Sequence, residues 1–343
     1  MSVGTRNPEQ PIRWGVLGAA NIAVKKVIPG MKKCRYSVVT AIASRDRERA
    51  REAAHETGVT KSYGSYEELL ADGDIDAIYN PLPNHLHVPW TKKAAAAGKH
   101  VLCEKPLALT AAEAEELIGV RDKTGMKLGE AFMVRTHPQW LRAREIVRSG
   151  DIGELRSILS VFSYFNRDPK NIRNIAEIGG GAVMDVGCYP ITMSRFFFER
   201  EPVRVAALVD RDPEMKTDRL SSALLDFAPG QVVFTCSTQL VPFQRMQVFG
   251  TKGRVELEIP YNIPPNAPSR IFIDDGSALA GKSARVEEFP IADQYALQSD
   301  AFSRAILDNT EVPVPLEDAI ANMRVIEAVL RAGQTGRWES VQD

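Results

Sequence analysis

The apolar residues of the amino-terminal part form short runs rich in Val, Ile and Ala, separated by segments rich in Ala, Glu, Lys and Arg. Such runs are typical of buried strands, and the charged segments are typical of amphipathic helices. Strands are predicted at residues 12–18, 37–44, 75–80, 99–103 and 126–132, and helices at 47–57, 66–70, 88–97 and 111–123. Because strands that alternate with helices form parallel sheets, residues 1–132 predict a doubly wound α/β domain.

The pattern changes after residue 133 to a series of β-rich runs with few helices between them. Strands are predicted at 155–165, 203–209, 220–227, 231–239, 245–249, 254–259 and 269–273, and helices at 138–148, 295–308 and 316–333. Turn sequences such as 228–230 and 250–253 separate neighbouring runs, so residues 133–343 predict an α+β domain with an antiparallel sheet. The proline-rich segment 260–268 is compatible with an ordered surface excursion or with a mobile loop.

Composition narrows the possible partners. The chain has 343 residues with 43 basic and 44 acidic side chains, so it has no basic footprint for nucleic acid or an anionic membrane, and a small-molecule partner is expected. No run reaches about 18 apolar residues and no export signal is evident, which predicts a cytoplasmic protein. The four cysteines form no CxxC pair, and no Cys/His/carboxylate set has zinc spacing, so no metal is expected.

The first predicted strand ends in a turn of small residues, Gly15-Val-Leu-Gly18-Ala-Ala20-Asn-Ile-Ala23, that opens a helix. Amides at such a helix start can bind a pyrophosphate. Ser44 and Arg45 end the second strand and suit the 2′-phosphate of NADP, whereas in the alternative Asp46 binds the ribose hydroxyls of NAD. The expected cofactor contacts are Gly18, Ala20, Asn21, Ile22, Ser44, Arg45, Pro81, Leu82, Asn84, His87, Glu104 and Lys105, with Leu82 behind the nicotinamide and Asn84 and His87 ordering their loop.

Two segments carry candidate reacting groups. Glu104-Lys105-Pro106 follows the fourth predicted strand, at the edge where open α/β sheets bind ligands. Asp185 and Tyr189, four residues apart on a predicted helix after Gly179-Gly180-Gly181, would share a helix face. A lysine near a phenol lowers the phenol pKa, so Lys105 and Tyr189 could move the proton of a carbinol during hydride transfer. The alternatives are a salt-bridged strand end and a tyrosine that only packs.

An outer substrate wall is expected from Phe165, Asn166 and Arg173, together with Phe162, although aromatic residues at strand spacing are commonly core residues. The segments described above resemble the glucose-fructose oxidoreductase, inositol dehydrogenase and rhizopine-catabolism family, the Gfo/Idh/MocA oxidoreductases. The resemblance rests on GxxGxxxxA at 15–23, Asn84-x-x-His87, the segment 97–106 with Glu-Lys-Pro, and GGGxxxDxGxY at 179–189.

This resemblance implies a Rossmann domain followed by a domain with a large open, mainly antiparallel sheet that forms a homodimer or homotetramer. It also implies that Lys105 and Tyr189 are the catalytic pair and that Asp185 contacts the substrate. Inositol dehydrogenases carry histidine where this chain has Tyr189, which favours the branch of aldose dehydrogenases, glucose-fructose oxidoreductases and dihydrodiol dehydrogenases. The resulting hypothesis is an NADP-dependent aldose 1-dehydrogenase acting on a pyranose sugar. The alternatives are a keto-sugar reductase, a trans-dihydrodiol dehydrogenase, or a non-catalytic dinucleotide sensor.

Overall fold

Residues 10–341 are described by a computed structural model of the chain, and they divide into two compact units. The first unit contains the residues up to Ala108, Ala112–Thr136 and Asp293–Ile320. The second contains Leu109–Ala111, His137–Ala292 and the residues from Ala321 onward. The units are therefore not two consecutive halves of the chain, since segment 293–320 belongs to the first unit.

The helices of the described residues agree closely with the predicted amphipathic segments. They are α1 (Ile28–Met31), α2 (Arg47–Thr57), α3 (Tyr66–Leu70), α4 (His87–Ala96), α5 (Ala111–Thr124), α6 (Pro138–Ser149), α7 (Cys188–Phe198), α8 (Gln294–Leu307) and α9 (Leu316–Thr335). Their ends follow from local chemistry. Asp46 and Ser65, for example, cap the starts of α2 and α3, and Gly58 ends α2 in the left-handed conformation that glycine adopts without strain.

The first unit is built on a parallel sheet of six strands within the described residues. The strands are β1 (Ile12–Leu17), β2 (Ser37–Ala43), β3 (Lys61–Tyr63), β4 (Ala77–Asn80), β5 (His100–Glu104) and β6 (Leu128–Ala131), in the order β3-β2-β1-β4-β5-β6. Every pair is parallel. The strand order reverses between β1 and β4, and ligands of open α/β sheets bind at that switch point. The predicted doubly wound domain is confirmed.

The second unit contains a mixed sheet of nine described strands. These are β7 (Leu155–Phe165), β8 (Arg204–Arg211), β9 (Asp218–Asp226), β10 (Gln231–Ser237), β11 (Gln239–Gly250), β12 (Arg254–Leu257), β13 (Ser269–Asp274), β14 (Arg285–Phe289) and β15 (Glu339–Ser340), in the order β14-β13-β12-β11-β7-β10-β9-β8-β15. Only the β10–β7 pair among them is parallel, which confirms the mainly antiparallel prediction. The sequence did not predict β14, because its charged residues are typical of an edge strand rather than of a buried one.

Helix α8 completes the core of the first unit. The indole Nε1 of Trp14 in β1 donates to Ser303 Oγ at 3.0 Å, and the same indole packs against Phe302 with ring centroids 5.7 Å apart. The carboxylate of Asp300 accepts the backbone amides of Arg35 and Tyr36 at 3.0 and 2.8 Å. Periodicity predicts this helix, but not that it packs with strands far earlier in the chain.

The proline-rich segment 260–268 is ordered by contacts inside the second unit. Trp140 Nε1 donates to Pro260 O at 2.7 Å, and Gln244 Oε1 accepts the amides of Tyr261 and Asn262, each at 2.9 Å. Tyr261 is completely buried. Of the two possibilities left open by the sequence, the structure therefore shows a packed excursion.

Two classes of feature are not found among residues 10–341. No helix there is long and apolar enough to cross a membrane. No group of three or more His, Cys, Asp or Glu side chains in that range could hold a metal ion. Cys103, Cys188 and Cys236 are buried and Cys34 is partly buried, and none of the four forms a disulfide bond.

Candidate active site

The turn after β1 has the geometry of a dinucleotide-binding turn. Gly18 has φ +87°, and a Cβ added there would lie 3.0 Å from Leu82 Cδ2. Its amide donates to Ala43 O at 2.7 Å, which holds the turn against the end of β2. The helical bonds begin directly afterwards, with Val24 N donating to Ala20 O at 3.0 Å. Backbone amides near Asn21 can therefore face a pyrophosphate without an intervening side chain.

The end of β2 separates the two possible ribose contacts. The Oδ1 atom of Asp46 accepts the amides of Glu48 and Arg49 at 3.0 and 3.3 Å, which is the N-cap of α2. The Asp46 amide in turn donates to Ser44 Oγ at 3.2 Å. This capping role is sufficient to explain an aspartate at position 46, without a contact to the ribose of NAD. The arrangement favours Arg45 as the group that selects the cofactor.

Two further residues join Arg45 at this edge. Burial raises the pKa of the Tyr66 phenol, while the charge and hydrogen bond of Arg45 and the charge of Arg49 lower it. Arg49 also donates from Nη2 to Ala19 O in the glycine turn, at 3.3 Å. Two guanidinium groups and a phenol thus lie together at the end of β2, and their charge and hydrogen-bond donors suit a phosphate group. Arg49 and Tyr66 were not predicted from the sequence, because each lies at the start of a helix, α2 or α3, whose position beside Arg45 depends on the fold.

The loop after β4 is held by His87, which is 1 % exposed. Its Nε2 lies 2.6 Å from Leu82 O and its Nδ1 lies 2.8 Å from Pro106 O. Burial lowers the pKa of His87 to about 4, although both carbonyls favour its charged form. Asn84 begins the short 3₁₀ turn that leads into α4. His87 therefore joins the loop that contains Pro81 to the segment that follows Lys105, in keeping with its expected ordering role.

Lys105 follows β5 at the carboxyl edge of the parallel sheet, and its peptide bond to Pro106 is cis. Glu104 Oε1 accepts the hydroxyl of Tyr79 at 2.6 Å, and Glu104 Oε2 accepts the Lys105 amide at 3.3 Å. The Glu104 carboxylate therefore orients the lysine backbone and is anchored to β4, which a simple surface ion pair would not do. Helix α8 brings Tyr295 close enough for the charges of Glu104 and Lys105 to act on its phenol, whose pKa is raised mainly by burial.

In the second unit, Asp185 is the centre of a polar cluster. It lies in a π-helical turn, Val183–Gly187, that continues into α7, and such turns are frequent at functional sites. Its Oδ2 accepts the hydroxyl of Tyr164 at 2.6 Å and Nε of Arg173 at 3.0 Å. The sequence predicts Asp185 and Arg173 as site residues, whereas Tyr164 was not predicted. The alternation of β7 places Tyr164 on the same face as Phe162, which could have indicated it.

Tyr189 follows Asp185 by one helical turn and is only 5 % exposed. Its ring contacts Phe162 and Tyr261, with centroids 5.6 and 5.3 Å away, and these two rings stack on each other at 4.7 Å. The aromatic neighbours fix the position of the phenol ring. Phe162 therefore supports Tyr189 as a buried core residue, and it is not exposed as part of an outer substrate wall.

Two residues expected in the substrate wall have other surroundings. Phe165 is 62 % exposed and directly follows Tyr164, so it points to the opposite face of β7 from the Asp185 cluster. Asn166 Oδ1 accepts the amide of Asp168 at 2.9 Å, and Asn174 Nδ2 donates to Asn166 O at 3.3 Å. Asn166 thus shapes the loop that precedes Arg173. Of Phe165, Asn166 and Arg173, only Arg173 is hydrogen-bonded to Asp185.

Two of the three glycines before this helix have packing reasons inside the unit. A Cβ on Gly180 would lie 2.7 Å from the carbonyl oxygens of both Arg173 and Ile175. Gly181 has φ +129°, and its Cβ would lie 1.9 Å from Asp218 Oδ1. Neighbouring atoms of the same unit therefore leave no space for a side chain at Gly180 or Gly181. That these glycines allow the helix to approach the cofactor closely remains a prediction.

A parallel sheet with a glycine turn, an arginine site at the end of β2 and a lysine at the same edge defines a dinucleotide-dependent oxidoreductase. The second unit adds a carboxylate and a phenol one helical turn apart. The chain belongs to the Gfo/Idh/MocA family. Residues 12–132 match the oxidoreductase family with an NAD-binding Rossmann fold, and residues 140–256 match the GFO/IDH/MocA C-terminal domain.

Similar proteins include a dehydrogenase and a reductase. The chain is 49 % identical over 331 residues to an uncharacterized oxidoreductase of Rhizobium meliloti, covering 96 % of this chain and 99 % of that protein. It is 38 % identical over 328 residues to a D-xylose 1-dehydrogenase (NADP(+)) of Haloferax volcanii, covering 94 % and 98 %. A 3-ketoreductase from Actinomadura kijaniata, solved in complex with NADP and TDP-benzene, has a TM-score of 0.87 at 30 % identity, covering 94 % and 98 %.

Proposed function

We propose that this protein is an NADP-dependent aldose 1-dehydrogenase that oxidises a pyranose of the D-xylose or D-glucose type to its lactone. The observation that carries the proposal is the Asp185 cluster. One carboxylate, held by Tyr164 and Arg173, lies one helical turn before a tyrosine fixed by aromatic packing. A carboxylate next to a phenol suits a polyol with adjacent hydroxyl groups. The similarity to a D-xylose 1-dehydrogenase supports the same substrate class.

The residues of the first unit fit NADP. The Gly18 turn is too crowded for a side chain yet presents backbone amides, as a pyrophosphate site requires. Ser44 and Arg45, joined by Arg49 and Tyr66, match the charge and the oxygen acceptors of a 2′-phosphate. The D-xylose dehydrogenase uses NADP(+) according to its name, and the 3-ketoreductase was solved with NADP. When bound, the oxidised cofactor supplies the hydride acceptor.

The chemistry assigned to the protein is proton transfer and orientation. Tyr189 would take the proton of the anomeric hydroxyl as the hydride leaves the anomeric carbon, so that a carbonyl forms and the ring oxygen is retained. Lys105 would favour the phenolate form of Tyr189 through its positive charge. Asp185 would accept hydrogen bonds from neighbouring sugar hydroxyls, and Arg173 would hold its carboxylate in place through their ion pair. The proposal requires Lys105 and Tyr189 to act on one substrate.

The second candidate function is keto-sugar reduction, which the similarity to the 3-ketoreductase favours. The same proton-transfer group serves both directions, so a substrate panel must decide between them. Purified protein is assayed by cofactor absorbance with pentoses, hexoses, keto sugars and trans-dihydrodiols. Aldose oxidation with NADP supports the first proposal, and turnover confined to keto sugars or dihydrodiols refutes it. Cofactor binding without any turnover would instead indicate the sensor alternative.

We also propose a homodimer or homotetramer formed through the large sheet. Leu159 in β7 pairs in register with Val233 in β10, and both are about two-fifths exposed on the same face. Leu208 in β8 adds a side chain that is 80 % exposed. Exposed apolar side chains in one area are typical of an interaction surface. Light scattering should give a mass of two or four chains, and Leu208→Lys should lower it. A monomeric unmutated protein would refute this proposal.

A further inference from the structure

A buried carboxylate touches the start of the helix that carries Asp185 and Tyr189. Asp218 is the first residue of β9 and is 3 % exposed. Its Oδ2 accepts the backbone amide of Val183 at 2.7 Å and lies 3.4 Å from Ser221 Oγ. The amide of Val183 is one of the donors that a helix start leaves without an intrahelical partner. Asp218 supplies that partner from a different element of the fold.

The same carboxylate fixes the backbone immediately before the helix. Asp218 Oδ1 occupies the space where a Cβ of Gly181 would lie, at 1.9 Å. The carbonyl of Gly181 accepts the amide of Asp185 at 3.0 Å. One side chain therefore contacts both Gly181 and Val183, and the first of these is hydrogen-bonded directly to Asp185. A displacement of Asp218 would be passed to Asp185 through one backbone bond.

The surroundings of Asp218 are unusual for a carboxylate used only for stability. Burial raises the pKa of Asp218 to about 6, although the Val183 amide, the charge of Arg211, its own backbone amide and the Ser221 hydroxyl lower it. A buried ionised group is costly to keep, and groups with raised pKa values are enriched at functional sites. The observation supports a role beyond packing, and the contacts indicate which role.

We propose that Asp218 is a positioning residue that sets the location of segment 181–189 and thereby places Asp185 and Tyr189 for catalysis. The inference rests on the proposed function, because it assigns those two side chains to the reaction. Asp218 would act through the amide of Val183 and the backbone of Gly181 and would not touch the substrate. Loss of the carboxylate would shift the helix start, and a misplacement of about 1 Å can lower turnover about 100-fold.

The test compares Asp218→Ala with Asp218→Asn in full-length protein. We expect Asp218→Ala to lower kcat per NADP-binding site about 100-fold, with an unchanged Kd for NADP and faster hydrogen exchange at the Val183 amide. Asn and Asp are comparably good helix caps, so Asp218→Asn should recover kcat to within about tenfold of the unmutated value. A role in stability alone would change the folded fraction but not kcat per binding site.

Asp274 provides a matched control, because it is also 3 % exposed and its carboxylate also caps a turn, accepting the Gly276 amide at 3.0 Å. Asp274→Ala should keep kcat per site. If Asp218→Ala does not fold, Asp218→Glu decides, because its extra methylene has no space beside Gly181 and should lower kcat tenfold or more. Unmutated kcat per site in Asp218→Ala, or in Asp218→Glu, overturns the proposal. Absence of sugar turnover in the unmutated protein instead refutes the proposed function, and the catalytic role of Asp218 with it.

Discussion

Removal of one guanidinium at the end of β2 should change cofactor preference. The guanidinium of Arg45 lies close enough to the phenol of Tyr66 to lower its pKa, and Tyr66 is only 6 % exposed, so a phosphate bound beside the two would be partly shielded from water. Arg45→Ala deletes the charge-assisted bonds to a 2′-phosphate but leaves the Gly18 turn that binds the pyrophosphate. We therefore expect weaker NADP binding and nearly unchanged NAD binding.

The size of the effect follows from the contact that is lost. A hydrogen bond to a charged group contributes about 1.5–3 kcal/mol, which corresponds to roughly 10- to 150-fold in Kd. Arg49→Ala should have a smaller effect, since this side chain also donates to Ala19 O. Isothermal titration with NADP and with NAD, both at one fixed ionic strength, measures the ratio of the two affinities.

Arg47 is the matched control. It lies on the same turn and carries the same charge, but its guanidinium is paired with Glu68 Oε1 at 3.0 Å. Arg47→Ala should leave the ratio of NADP to NAD affinity within about threefold of the unmutated value. The reasoning fails if Arg45→Ala weakens both cofactors equally, or if Arg47→Ala removes the preference to the same extent.

Three other changes test the site. Tyr189→Phe should lower turnover about 10²- to 10⁴-fold without changing NADP affinity, and unchanged turnover by cofactor absorbance would refute its catalytic role. Tyr164→Phe removes a 2.6 Å bond to the neighbouring carboxylate and should raise the sugar KM about tenfold, with a smaller change in kcat; an unchanged KM contradicts this. Asp218 has a pKa raised to about 6 from 3.8, so the folded protein binds the additional proton and its stability falls as pH rises from about 4 to above 6. Asp218→Asn should therefore gain up to about 3 kcal/mol at pH 8, roughly half of that at pH 5 and little near pH 3, measured by denaturant unfolding; equal gains at pH 8 and pH 3 would refute this.

Local sequence was sufficient for the fold class and for most elements of the first unit. Helices α2 and α3 have the predicted bounds because an Asp or Ser cap and an Ala- and Glu-rich run define them within a few residues. The positions of Lys105 and Asp185 were likewise readable, since each depends on its place at the end of a strand or on a helix. Strand β3 was not predicted, because its three residues are too few for a periodic signal.

Contacts between residues distant in sequence were beyond this reasoning. Tyr164 meets Asp185 only because β7 and the π-helical turn are adjacent in the folded unit. Tyr261, in a segment whose composition indicates a loop, packs on Tyr189 because the amides of Tyr261 and Asn262 donate to Gln244 Oε1 and hold that segment inward. Asp218 likewise gave no sequence signal, since a strand-end aspartate is commonly exposed.

The return of segment 293–320 to the first unit has a consequence for biosynthesis. Until α8 has emerged from the ribosome, the indole of Trp14 lacks both its hydrogen-bond acceptor Ser303 and its ring partner Phe302. Most of the first unit is translated early, but its core can be completed only after α8 has been synthesised, more than 150 residues after Thr136. A fragment truncated before residue 293 would expose apolar surface at the centre of β1, and such surface promotes aggregation of nascent chains.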